Sequence, residues 1–84
     1  MLSDEDRDLL LQATELVVTT QFGSTPMLQR KLDLSYAQAE RIMQVLESHQ
    51  VVGSAQEPRP REVMVSVDRL ASVLDRLKGE GGAP

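Results

Sequence analysis

The sequence predicts a small α+β domain: a winged helix, meaning a helix-turn-helix followed by a two-stranded β-hairpin wing, with an added C-terminal helix. Two observations carry this. Two helical patterns meet at a tight turn around Asp33-Leu34, and after Gln50 the apolar period changes from helical to alternating. A three-helix bundle with an incidental hairpin would give the same order of elements. The short turn, and a hairpin placed directly after the third helix, favour the winged helix. At 84 residues the chain has room for one domain, expected over 1–78, with a flexible Gly-rich tail at 79–84.

The first helix is expected over Asp4 to Thr20. Ser3 is its candidate N-cap, and Asp4, Glu5 and Asp6 put negative charge where the helix dipole favours it. Leu9, Leu10, Ala13, Leu16 and Val17 form one apolar stripe. Gln21-Phe22-Gly23 breaks it. A short second helix starts at Thr25-Pro26, with threonine as cap and proline in the first turn, and turns Met27, Leu28 and Leu32 inward. Ser35 followed by Gln38 reads as a capping box opening a third helix to about His49, with Ala39, Ile42, Met43 and Leu46 on its buried side. Val51-Val52 and the alternating Val63, Val65 and Val67 are the expected wing strands, around a polar loop rich in turn formers. A last helix over about Asp68 to Lys78 offers Leu70, Val73, Leu74 and Leu77.

The composition, 40% hydrophobic and 26% charged, is that of an ordinary globular chain. With no cysteine and a single histidine, thiolate zinc sites, disulfides, cysteine nucleophiles and His-rich metal centres are excluded. His49 suits a helix C-terminus better than a catalytic base. No Gly-x-x-x-x-Gly-Lys-Ser/Thr loop is present to cradle a nucleotide phosphate. The reading is therefore a binding module, not an enzyme, with no cofactor or metal. No segment approaches the roughly 20 apolar residues of a membrane span, and the acidic start lacks the basic-then-apolar order of a secretory signal. Contact with a membrane is not expected, and the expected location is the cytoplasm.

The net charge of −4 argues against a nucleic-acid partner until it is resolved by position. Residues 1–15 carry Asp4, Glu5, Asp6, Asp8 and Glu15 against Arg7, which equals the whole −4. Residues 24–61 carry five cations (Arg30, Lys31, Arg41, Arg59, Arg61) against four acids (Asp33, Glu40, Glu47, Glu57), a balance of +1. In a winged helix those five converge on one surface, which fits double-stranded DNA as the partner. The start of the third helix would meet base edges, with Gln38 suited to adenine and Arg41 to guanine or a phosphate. Arg30, Lys31, Arg59 and Arg61 would hold phosphates and fix register. Tyr36 is expected in the core, with contact to the DNA backbone as the alternative.

Gly23-Ser24-Thr25 leading into Met27-Leu28-Gln29-Arg30-Lys31-Leu32, then Tyr36, Ala39 and Arg41, then Val51-Val52-Gly53 and Pro60-Arg61-Glu62-Val63-Met64-Val65, resemble the C-terminal gamma domain of the FtsK/SpoIIIE DNA translocases over roughly residues 8–67. The resemblance implies a winged helix that reads short G-rich sequences to orient a translocase on the chromosome. In some members it also implies contact with a tyrosine recombinase. It carries over to Arg30 and Lys31, to the start of the third helix (Ser35, Ala37, Gln38, Arg41) and to Arg61 on the wing. Where the family commonly has Gly-Tyr-Asn-Arg-Ala-Ala-Arg, this chain has Ser35-Tyr36-Ala37-Gln38-Ala39-Glu40-Arg41. Glu40 thereby introduces a carboxylate that would repel phosphate. The alternative reading is a gamma-like protein-interaction module, binding a recombinase, motor or polymerase, in which DNA contact is weakened.

Overall fold

The computed structural model describes residues 4–56 and 58–79. The Ser3 cap and the tail from residue 80 lie outside the described residues. Among the described residues four α-helices follow one another: α1 (Asp4–Thr20), α2 (Thr25–Leu32), α3 (Tyr36–Ser48) and α4 (Leu70–Lys78), the last entered through a 3-10 turn at Val67–Arg69. α2 packs on α3, and α1 lies against both and against α4.

Each helix has a local cause. The acidic first turn of α1 complements its dipole. Its β-branched C-terminal half is held by back-bonding hydroxyls, with Thr19 Oγ1 donating to Glu15 O at 2.7 Å and Thr20 Oγ1 to Leu16 O at 2.7 Å. α2 is capped by Ser24 and not by Thr25 as expected: Ser24 Oγ accepts the Met27 N–H at 3.2 Å, and Pro26 occupies the first turn. α3 opens on the predicted capping box, with Ser35 Oγ accepting the Gln38 N–H and Gln38 Oε1 accepting the Ser35 N–H.

The first three helices end in the same way. Gln21, Asp33 and Gln50 take left-handed φ values of 55°, 55° and 62°. The next residue's N–H then reaches back five positions: Phe22 to Val17 O, Leu34 to Gln29 O and Val51 to Leu46 O, at 3.2, 3.0 and 2.8 Å. These endings set the sharp exits that fold the chain back on itself.

The core gathers Leu10, Ala13, Val17 and Val18 of α1, Met27 and Leu28 of α2, and Ala39, Ile42, Met43 and Leu46 of α3. Val51, Val52 and Val65 close it from the connecting segment, and Val73 and Leu77 from α4. Predicted core positions of α3 are all buried. Leu9, Leu16, Leu32, Leu70 and Leu74 sit at the margin, half-buried.

The expected β-hairpin wing is not formed, so the α+β winged-helix expectation is corrected to a helical domain. Among the described residues there are no strands, only single antiparallel bridges: Val52 with Val63, Gln56 with Arg59, and Gly23 with Arg61. Two hydrogen bonds flank the first, Gly53 N–H to Glu62 O and Met64 N–H to Val51 O, both 2.8 Å. The ladder stops there for identifiable reasons. The Gly53 carbonyl accepts the Arg61 guanidinium at 3.0 Å, and the Arg61 N–H goes to Gly23 O at 2.9 Å. Pro58 and Pro60 have no N–H to give. The far end of the alternating run is drawn into the 3-10 turn, leaving Val67 exposed.

Asp68, in that turn, has its carboxyl held below the usual value of 3.8, first by a hydrogen bond from the Ser66 side chain, then by its own backbone N–H and by Arg69.

Candidate nucleic-acid interface

The turn between α2 and α3 is three residues long, Asp33-Leu34-Ser35, because a left-handed Asp33 ends one helix where Ser35 already caps the next. The exposed start of α3 therefore projects as a fixed platform. On it stand Ser35, Tyr36, Ala37, Gln38 and Arg41, all solvent-exposed.

These side chains are not equally available. The Ser35 hydroxyl and the Gln38 carbonyl oxygen are both engaged in the capping box, at 3.1 and 3.0 Å. A bidentate pairing of Gln38 with adenine needs that oxygen, so it would have to open the box. The Ala37 methyl is free to meet an apolar base edge. Arg41 makes no ion pair among the described residues; it borders a small apolar cleft between α1 and α3 with Asp6, Leu9, Gln38 and Val45. Tyr36, expected in the core, is 53% exposed. Its place in the first turn of α3 carries it past the end of the apolar stripe, where no facing helix covers it.

Arg61 departs from its expected role. It is 7% exposed, and its guanidinium donates to Glu47 Oε1 at 2.8 Å and to the Gly53 carbonyl at 3.0 Å, with Glu40 Oε2 at 3.6 Å. It is thus an internal tie between α3 and the connecting segment, not an outward phosphate contact. The same arrangement answers the charge problem posed by Glu40. That carboxylate is turned onto Arg61 and is partly neutralised before any phosphate could approach.

Arg59 remains outward, two residues away, where its N–H closes a turn onto Gln56 O at 2.7 Å. Arg30 and Lys31 are exposed in the last turn of α2, where cations also complement the helix dipole. Lys31 borders a shallow groove with Gln12, Glu15 and Thr19 of α1, so its flank is shared with an acid. The structure brings Ser35, Ala37, Gln38 and Arg41 together on one helix start and puts Arg61 beneath that helix. It does not join Lys31 to them. Glu47 was not singled out in the sequence; its place two turns after Glu40 on one face of α3 was the available signal. Among the described residues no group of His, Asp and Glu side chains could hold a metal ion, and no helix is long and apolar enough to cross a membrane.

Residues 4–66 match the family model for the FtsK gamma domain. The chain belongs to the FtsK gamma domain family. The match is to this small domain and not to the ATPase motor. The chain is 49% identical over 78 residues to the DNA translocase FtsK of Mycobacterium tuberculosis (strain CDC 1551 / Oshkosh), which covers 93% of this chain and 9% of that protein. It is 51% identical over 76 residues to the DNA translocase FtsK of Streptomyces avermitilis, covering 90% of this chain and 8% of the relative. For the Corynebacterium efficiens DNA translocase FtsK the identity is 49% over 75 residues, 89% and 8% of the two chains. The gamma domain described here thus spans about a tenth of the length of the curated relatives it matches.

Proposed function

We propose that this gamma domain binds double-stranded DNA and reads short G-rich sequences, and so gives direction to a translocase on the chromosome, with no catalysis of its own. The observation that carries the reading is the state of charge at the start of α3. Arg41 is exposed and without a carboxylate partner among the described residues, while Glu40 is drawn onto the buried Arg61. Arg41 then serves guanine or a phosphate, Ala37 and Tyr36 pack beside it, and Arg30, Lys31 and Arg59 hold phosphates. Ser35 and Gln38 fix the helix start that presents them.

A second reading, a protein-binding module with weakened DNA contact, is favoured by the engaged Gln38 oxygen and by the −4 net charge. Titration of labelled duplexes, random and G-rich, across a salt series separates the two. The DNA reading expects binding at low salt and a preference for the G-rich duplex that Arg41→Ala relaxes. Arg30→Ala or Lys31→Ala should weaken all duplexes alike and lower the salt slope by about one. Absence of binding at low salt, or indifference to Arg41→Ala, would overturn it.

A further inference from the structure

Between α4, which packs on α1, and the segment before it lies a groove of about 470 Å³ that no role above uses. Arg69, Ser72, Val73 and Arg76 recur at helical spacing and form one wall, and Met64 and Val65 form the other. Val65 and Val73 are buried beneath it, while Met64 is 58% exposed. Neither Arg69 nor Arg76 makes an ion pair among the described residues. Of the nearby acids, Asp75 Oδ1 lies 3.7 Å from Lys78 Nζ, and Asp68 is held first by Ser66 and its own backbone and only then by Arg69.

We infer that this groove is a docking surface for an acidic peptide segment carrying a large apolar side chain. The two guanidiniums, about two helical turns apart, suit carboxylates on either side of an anchor that packs on Met64, Val65 and Val73. Recognition goes through side chains and not by strand addition, because the Met64 N–H already donates to Val51 O and the Val65 carbonyl already accepts from Gln21 Nε2. A phosphate backbone would satisfy the arginines but would leave the exposed methionine without a partner, so a peptide fits the whole groove better than a nucleic acid does. The inference is independent of the DNA reading.

The test is a titration of the isotope-labelled chain, followed by amide chemical shifts, with a short synthetic peptide of aspartate and glutamate around a central leucine-phenylalanine pair. Shifts should concentrate at Met64, Val65, Arg69, Ser72, Val73 and Arg76. The double variant Arg69→Glu/Arg76→Glu, whose spectrum also reports that it is folded, should bind about tenfold more weakly. A peptide with serines in place of the apolar pair should lose about as much. The inference is overturned by no binding, by shifts on another surface, or by equal affinity for the serine peptide. It is equally overturned if a duplex moves the groove resonances more than the peptide does, or if protein concentration alone moves them, which would make the groove a contact between copies.

Discussion

Gly23 and Gly53 share a residue type but not a reason for it. A Cβ built on Gly23 would lie 2.6 Å from the Arg61 carbonyl oxygen, which is backbone and cannot step aside, whereas one on Gly53 would come no closer than 3.8 Å to anything. Gly23→Ala should therefore cost about 1–3 kcal/mol in denaturant unfolding and Gly53→Ala less than about 1 kcal/mol. Equal effects would mean that the close approach of the turn to Arg61 is not maintained in solution. Arg61 itself joins two carboxylates and a carbonyl from beneath α3. Arg61→Met should destabilise by about 2–3 kcal/mol, since Gly53 O and two carboxylates lose their partner at once. Arg61→Lys, which keeps the charge but not the fork, should cost about half of that. If Arg61→Met unfolds at the wild-type denaturant midpoint, the tie contributes nothing. This residue also shows where sequence reading ends. Its charge and loop position are those of an outward cation, and only the approach of Glu47 and Gly53, distant along the chain, turns it inward. Tyr36 errs the other way: its spacing from Ala39 is that of a core residue, but the residue, 53% exposed, lies beyond the buried stripe that Ala39 begins.

Helices were legible here because their causes are local. The capping box, the acidic first turn of α1 and the apolar stripe of α3 lie within a few residues of one another, and α1 runs over the predicted span. The strands were not legible, because a ladder depends on which distant groups compete for the same donors and acceptors. Gly53 O and the Arg61 N–H are taken by partners outside the Val52–Val63 pair. The positions of the helix endings were legible, but their geometry was not, since each uses a left-handed residue that is not glycine. A left-handed conformation costs a non-glycine residue about 1 kcal/mol. Gln50 is exposed and its side chain makes no hydrogen bond among the described residues, so Gln50→Gly should raise stability by about 0.5–1 kcal/mol. Gln21 is left-handed too, but its amide donates to Val18 O at 2.8 Å and to Val65 O at 2.9 Å. Gln21→Gly should bring no gain, because the relieved strain is offset by two lost hydrogen bonds. Thermal midpoints of the two variants decide it. A stabilised Gln21→Gly would show that those bonds contribute little.

At the scale of the whole molecule the proposed function asks how a chain of net charge −4 would approach a polyanion. The acids at the start of α1 are not remote from the proposed reading helix, since Asp6 lines the same cleft as Gln38 and Arg41. The molecule measures 37 × 28 × 20 Å. At about 0.01 M salt the screening length is ~30 Å, so the whole acidic end is felt by a duplex on α3; at about 0.15 M it is ~8 Å, and only the nearest charges matter. Glu5→Gln/Asp8→Asn removes two exposed acids while keeping the Asp4–Arg7 pair and Asp6. If α3 is the DNA face, this variant should bind every duplex about two- to fivefold more tightly at the low salt concentration and nearly as wild type at the high one. Its preference for G-rich over random duplex should not change, because long-range field acts on phosphates and carries no base information. The measurement is an anisotropy titration of both duplexes at the two salt concentrations. An unchanged affinity at low salt would place the duplex far from the start of α1, and hence away from Arg41. A gain that survives at high salt would mean that Glu5 or Asp8 touches the DNA directly, so that the reading surface includes α1 and not only the start of α3.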